Sequence, residues 1–225
     1  MKVVAKIEQD NFAESPRTWG QSSVMVCEHK RYDLGDEQFS SLCASTWREW
    51  FADYISENFS DVKLDENDFD DVDCLNDSGY EKIWKWIDEN LVYLPLFLYD
   101  HSGITMSTGE FSCSWDSGQV GYIFITKEDA EKEYGLSGLS DEEKVKKTKE
   151  YLEGEVETYD MYLTGDVYTV VAYEVDDDVT LEDAECQIAC GKANEREIVG
   201  GYYGLEYAID AARDEFGAVE VIKPY

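Results

Sequence analysis

The stretch Val167–Val175, which reads VYTVVAYEV, carries apolar or aromatic side chains at both its odd and its even positions. In a β-strand, successive side chains point to opposite faces of the sheet. A strand that is apolar on both faces is typical of one that is covered on both sides. We therefore expect a strand here whose two faces are both packed against other parts of the protein.

Short runs rich in β-branched and aromatic residues predict five further strands, at 3–8, 23–27, 92–99, 120–126 and 219–222. Pro95 lies within one of these runs. Because proline has no N–H to donate to a ladder, it favours an edge strand or a bulge at that position.

Apolar residues at helical spacing predict about four amphipathic helices, with stripes starting near positions 47, 80, 145 and 205. A capping box of Ser78 with Glu81 predicts the start of the second helix. Ser140 with Glu143 does the same for the third, and Gly217 ends the fourth. Because helices and strands intermix without a βαβ rhythm, we predict an α+β fold with a mostly antiparallel sheet.

The sequence contains no convincing linker, so we expect a single α+β domain over residues 1–225. A weaker alternative places a boundary at 60–78. No apolar run approaches the ~18 residues of a membrane span, and the N-terminus does not follow the pattern of a signal peptide. We therefore expect a cytoplasmic protein with no membrane partner.

The six cysteines are scattered and form no CxxC motif; they are Cys27, Cys43, Cys74, Cys113, Cys186 and Cys190. In a reducing compartment such cysteines are expected to be free thiols. A zinc site from Cys27, His29, Cys186 and Cys190 lacks the usual ligand spacing. The sequence thus predicts no metal, no cofactor and no catalytic residue.

Charge is the most unusual property of the chain: 51 acidic residues face 19 basic ones, a formal net charge of −32. So anionic a surface repels the phosphate backbone, which excludes direct nucleic-acid binding. Two stretches hold most of the excess. The first, the acidic loop, is residues 61–77, with candidate contact residues Asp61, Asp65, Glu66, Asp68, Asp70, Asp71 and Asp73. The second, the acidic segment, is residues 174–185, with Glu174, Asp176, Asp177, Asp178, Glu182, Asp183 and Glu185.

The spacing of carboxylates in the acidic loop does not fit a calcium-binding EF-hand, because Phe69 or Val72 falls on a ligand position. A different use follows from electrostatics. Duplex DNA carries one charge per ~1.7 Å, so 32 charges match about 54 Å of duplex. A basic DNA-binding groove would be attracted by such a charge if the carboxylates lay along one side.

Chemically capable side chains are densest between Tyr99 and Gln119. An alternative ligand or catalytic site is therefore His101, Ser102, Asp116 and Gln119. A Ser/His/Asp site needs a nucleophile on a sharp turn and an oriented base, and neither a GxSxG motif nor that arrangement is present. The simpler interpretation is a hydrogen-bonded hairpin in which these polar groups fix turns.

Three segments, 94–126, 154–174 and 199–216, resemble uncharacterised accessory proteins of bacteriophages, prophages and conjugative elements. The resemblance covers about the C-terminal 130 residues and implies a mobile element inside a bacterial cell. In composition alone, the chain also resembles acidic DNA-mimic antirestriction proteins. Together these imply an inhibitor of a restriction or CRISPR enzyme whose partner is a basic DNA-binding protein.

Two other interpretations stay open at this stage, and a third is disfavoured. The protein is a ligand-binding module or enzyme built around His101, or a partner in phage biology whose acidity only confers solubility. Salt adaptation is disfavoured, because a salt-adapted protein is expected to be poor in lysine and 14 of the 19 basic residues here are lysine. A homodimer is compatible with the sequence.

Overall fold

The computed structural model describes residues 1–70 and 74–224 and confirms the α+β class. The strands are β1 (Lys2–Gln9), β2 (Val24–Cys27), β3 (Glu37–Gln38), β4 (Leu91–Asp100), β5 (Ile104–Ser107), β6 (Ser117–Thr126), β7 (Val167–Val175), β8 (Asn194–Tyr203) and β9 (Glu220–Ile222). The helices are α1 (Trp47–Asn58), α2 (Asp77–Asn90), α3 (Lys127–Glu133), α4 (Asp141–Thr164), α5 (Leu181–Ala189) and α6 (Leu205–Asp214). Within the described ranges, no helix has both the length and the apolarity that a membrane span requires.

The chain divides into two compact units, and neither boundary falls at 60–78. The central unit is Trp19–Glu157, and the terminal unit combines Met1–Thr18 with Thr158–Tyr225. The single domain over 1–225 and the alternative boundary in the acidic loop both stay predictions. The prediction of a mostly antiparallel sheet is wrong, because there are two sheets and both are mixed.

The sheet of the central unit has the strand order β3-β2-β6-β4-β5, with β2 and β3 parallel. Strand β5 pairs with β4 only at residues 97–100, so the pairing of Pro95 is with β6 on one side. The register between β4 and β6 shifts directly after Pro95, at Leu96 and Phe97. The proline therefore lies where β4 has a locally open edge, next to a bulge.

Aromatic side chains form the core between this sheet and the first two helices. Phe51 of α1 is fully buried and stacks on Tyr122 of β6, with ring centroids 4.3 Å apart. Trp84 of α2 packs against Phe51 at 6.1 Å. Aromatic side chains bury large areas, and their stacking adds to that stabilisation. This core supports the acidic loop, which connects α1 to α2.

The sheet of the terminal unit has the order β8-β7-β1-β9, with β1 and β9 parallel. In β1, Ala5 and Ile7 belong to one buried cluster with residues of α6. Val4, which points the other way, belongs to a second cluster with Ala184 of α5. Both faces of the sheet are covered, which confirms what the doubly apolar pattern of Val167–Val175 predicts.

The structure has six helices within the described ranges where the sequence predicts about four. Helices α3 and α5 were missed because they have only seven and nine residues, too short for a clear apolar stripe. The capping box at Ser140 is confirmed, since its backbone N–H donates to the Glu143 carboxylate. The box at Ser78 is wrong. Asn76 caps α2 instead, accepting from the backbone N–H groups of Ser78 and Gly79.

Candidate functional site

The acidic loop is built on one buried carboxylate. Asp68 is only 1% exposed, although a carboxylate in an acidic run is expected at the surface. Its oxygens accept from Lys82 Nζ at 2.6 Å, from Ser78 Oγ at 3.2 Å and from the Asp65 backbone N–H at 2.8 Å. These contacts, led by Lys82, hold the pKa of Asp68 below its ordinary value. Asp68 therefore belongs to the interior of the loop, where Lys82 and Ser78 engage its carboxylate, and its assignment as a partner contact stays a prediction.

Asp65 also has a structural task. Its carboxylate accepts from the Asn67 backbone N–H at 2.9 Å and from Lys82 at 3.1 Å. The short 3-10 turn Glu66–Asp68 begins at this cap. Hydrogen bonding by Asn67, followed by Lys82, holds the pKa of Asp65 below its ordinary value. Asp65 thus shapes the loop while its side chain stays at the surface.

A disulfide joins Cys43 to Cys74, which are 31 positions apart in sequence. The prediction that all six cysteines are free is therefore wrong for this pair, and it holds for Cys27, Cys113, Cys186 and Cys190. Scattered cysteines give no sign of a pairing that only the packing of the chain brings together. The bond ties the end of the acidic loop to the chain just before α1.

Of the remaining candidates in the acidic loop, Asp61, Glu66 and Asp70 are exposed. Asp70 accepts from the Cys74 backbone N–H at 3.0 Å. Asp71 and Asp73 lie outside the described residues. The loop therefore presents fewer free carboxylates than its sequence suggests.

The acidic segment has the opposite character. Asp176, Asp177 and Asp178 form an exposed turn after β7, and Glu182 and Asp183 are exposed in the first turn of α5. Glu174 and Glu185 are half-buried. Acidic residues in a first helical turn are stabilised by the helix dipole, which explains part of the run.

One cation meets the acidic segment directly. The N-terminal ammonium lies 2.9 Å from an oxygen of Asp177, and this hydrogen bond raises the pKa of the amino group. Both partners are more than half exposed. Such a surface pair contributes little to stability and leaves the carboxylates accessible.

Of the alternative site, Asp116 and Gln119 line a cavity of about 310 Å³, whereas His101 and Ser102 lie in the turn between β4 and β5 and are not among its lining residues. His101 Nδ1 lies 3.3 Å from Asp116 Oδ2. Gln119 and Asp116 line the cavity, and the Gln119 amide donates to the Gly121 carbonyl at 3.2 Å. Ser102 is exposed at the turn with φ of 61°, in the left-handed region. Its position matches the turn-forming role rather than that of a nucleophile.

Two residues of this cavity, His29 and Arg31, come from a segment that sequence reasoning did not connect with residues 99–119. His29 follows β2, whose pairing with β6 places it beside the hairpin. Its Nδ1 accepts from the backbone N–H groups of Arg31 and Tyr32, at 3.3 and 3.2 Å. Arg31 forms an ion pair with Asp100 at the end of β4.

The cavity has the groups of a binding site but not the order of a catalytic triad. Cys113 Sγ lies 3.8 Å from Asp116 Oδ2, the carboxylate that also meets His101. In a cysteine triad the imidazole contacts the thiol and the acid lies behind it. Here the acid lies between thiol and imidazole, so the arrangement suits ligand binding better than nucleophilic catalysis.

Comparisons with protein-family models, with curated proteins and with solved structures found no match for this chain.

Proposed function

We propose that the protein is an anionic decoy that binds the basic, DNA-binding surface of a bacterial DNA-targeting defence enzyme of the restriction or CRISPR type. The observation that carries the proposal is the acidic segment. Five of its carboxylates are exposed within eight residues, at Asp176 to Asp178, Glu182 and Asp183. A surface of this kind attracts Lys and Arg by the same long-range field that steers them to phosphates.

Both units are strongly acidic. The central unit carries 32 acidic and 12 basic residues, and the terminal unit carries 19 and 7. The buried aromatic core offsets the self-repulsion that so many carboxylates cause. The mobile-element context rests on the resemblance of the C-terminal segments, and the choice of a defence enzyme as partner rests on that context.

The test measures competition with duplex DNA for purified restriction and CRISPR effectors over a range of salt concentrations. Inhibition is expected to weaken as salt rises, because the contacts are between exposed charges. The combined variant Asp176→Asn, Asp177→Asn, Asp178→Asn and Glu182→Gln is expected to weaken inhibition by about 10- to 100-fold.

A matched control removes four exposed acids of α4 by Glu142→Gln, Glu150→Gln, Glu153→Gln and Glu157→Gln. Either variant changes the formal net charge from −32 to −28, so only the location of the removed carboxylates differs. The control is expected to retain most of the inhibition. Equal effects of the two variants would show that overall charge, not the acidic segment, governs binding. No inhibition of any effector by the unaltered protein would reject the decoy mechanism.

A second candidate function is ligand binding at the His101 cavity. The specific observation concerns the two histidines of the chain. His29 lines the cavity, and His101 contacts Asp116, which also lines it. Trp115 also lines the cavity and is 94% exposed, so its ring is free to stack on a planar ligand. The acidic surroundings favour neutral or cationic ligands.

Titration with neutral and cationic heteroaromatic fragments, followed by the NMR signals of the two imidazoles, tests this function. Binding is expected to shift both histidines and to weaken in Trp115→Ala. The control Trp19→Ala removes another exposed tryptophan and is expected to have no effect. Absence of shifts across the fragment set would leave the hairpin a structural feature only.

A further inference from the structure

Two free cysteines of the terminal unit form an exposed pair. Cys186 lies in the last turns of α5, and Cys190 is the residue that caps its C-terminus. The Cys190 backbone N–H donates to the Cys186 carbonyl at 3.0 Å, so the two residues occupy successive turns. Residues four apart lie on the same face of a helix. Both thiols are exposed, whereas Cys27 is buried and Cys113 is half-buried.

Because Cys186 and Cys190 lie one turn apart on the same face of the helix end, their side chains are neighbours before any ligand arrives. The neighbouring Cys186 side chain raises the pKa of the Cys190 thiol. Ala184 of the same helix is fully buried, which fixes the rotation of α5 and keeps the dithiol at the surface.

The dithiol lines a cavity of about 340 Å³ whose wall mixes charges of both signs. Asp178 and Asp183 of the acidic segment contribute carboxylates to it, and Lys192 contributes an ammonium group. The carboxylates raise the local concentration of cations. The ammonium can balance the negative charge that two thiolates leave around a monovalent ion.

The number of donor groups decides which cation fits. Over residues 1–70 and 74–224, no group of three or more His, Cys, Asp or Glu side chains is arranged to hold a metal ion. Structural zinc takes four ligands in a tetrahedron, which this site does not offer. Thiolates select soft ions, and monovalent copper and silver accept two thiolates in a near-linear arrangement. The dithiol supplies that number of thiolates.

We propose that Cys186 and Cys190 bind a soft monovalent metal ion, Cu(I) in the cell, between their two sulfur atoms. This goes beyond the proposed decoy function and does not depend on it. On binding, both S–H bonds break and two metal–sulfur bonds form. Two protons pass to solvent, and neither the metal nor the sulfur changes oxidation state. One ion bound and two protons released is therefore the expected stoichiometry.

Silver nitrate in chloride-free buffer is the probe, because Ag(I) has the same coordination preference and needs no reductant that would open the Cys43–Cys74 disulfide. Isothermal titration calorimetry measures affinity, and a pH indicator in weak buffer counts protons. Cys186→Ser and Cys190→Ser are each expected to weaken the tightest site by about 100-fold. Cys113→Ser, which removes a thiol outside the cavity, is the matched control and is expected to keep it.

Lys192→Met is expected to weaken binding a few-fold while retaining the two-proton release, because the lysine balances charge and is not a ligand. Unchanged affinity in either Cys186→Ser or Cys190→Ser would overturn the proposal. Release of a single proton would also overturn it, since one thiol would then bind alone. Zinc binding as tight as silver binding would show a site with more donors than two and would equally reject it.

Discussion

Asp68 in the acidic loop and Asp177 in the acidic segment are exposed to very different extents, 1% and 77% of their side-chain surface. In the loop, carboxylates accept hydrogen bonds from Lys82 and from backbone N–H groups, and one of them caps a short 3-10 turn. A disulfide ties the end of the loop to the chain before α1. The segment leaves five carboxylates in solvent on a turn and a first helical turn. Two runs of similar composition thus have different surroundings. In the first, Asp65 and Asp68 are engaged by Lys82 and by backbone N–H groups, and in the second five carboxylates face solvent.

The largest expected effect is the loss of the disulfide. A bond that closes a loop of about 31 residues stabilises the folded chain by about 3 to 4 kcal/mol in the chain-entropy model. Cys43→Ser is therefore expected to lower the free energy of unfolding by about that amount in urea denaturation. Cys113→Ser, a free thiol in the same unit, is the control and should change it little. Equal stability of the two variants would mean that the loop is held without its covalent bond.

The next effect comes from the close approach of α2 to the acidic loop. A methyl group at Gly79 would lie 2.4 Å from the Asp68 carbonyl oxygen and 2.9 Å from Leu75. Gly79→Ala is expected to destabilise the protein by about 1 to 3 kcal/mol, as overpacking does. At Gly154 in α4 nothing lies within 4 Å, and Gly154→Ala should stabilise by about 0.5 to 1 kcal/mol. A lower Tm for Gly79→Ala together with a higher Tm for Gly154→Ala would support the close contact between α2 and the loop. Changes of Tm in the same direction would contradict it.

A smaller effect, with a pH dependence, separates Asp68 from its exposed neighbour. Asp68→Asn is expected to lower Tm by several degrees at neutral pH, whereas Glu66→Gln should leave it unchanged. The pKa of Asp68 is depressed in the folded protein. Its stabilisation is therefore complete above the unfolded value of about 3.9 and is lost as pH falls through the folded value. The Tm difference should shrink only below about pH 4. If the Tm difference between Asp68→Asn and the unaltered protein already shrinks near pH 6, a group other than Asp68 is responsible for it.

The smallest effect is expected in the acidic segment. Asp177→Asn should not change Tm measurably, because the ion pair with the N-terminal ammonium is exposed on both sides. It should lower the pKa of the amino group, since the hydrogen bond that the ammonium donates to Asp177 is the main cause of its raised value. Titration of the amino group by its reaction rate with an amine reagent measures this. A large drop in Tm would show that the segment is structural like the loop.

Local patterns predicted the secondary structure where an element is long and carries its own signals. The 24-residue helix α4 begins at its capping box and continues through Gly154. The box proposed at Ser78 failed because the Ser78 hydroxyl donates to Asp68 instead. That contact joins a residue of α2 to a residue of the acidic loop. The spacing of residues within a helix does not predict a contact of this kind.

The candidate sites show the same division. The residues from 101 to 119 were found from their density of polar groups, and the hairpin does bring His101 to Asp116. His29 and Arg31 were missed because some 70 residues separate them from His101. Only the pairing of β2 with β6 places them at the same cavity.

By itself the sequence determined the α+β class, the doubly covered strand at Val167–Val175 and the net charge of −32, because propensity, periodicity and ionisation are properties of local residues. Only the tertiary structure decided that β1 pairs with β7, that Cys43 meets Cys74 and that Asp68 is buried while Asp177 is not. Each of these is set by which distant segments pack together, and an acidic residue has the same local signature whether its carboxylate faces a lysine or water.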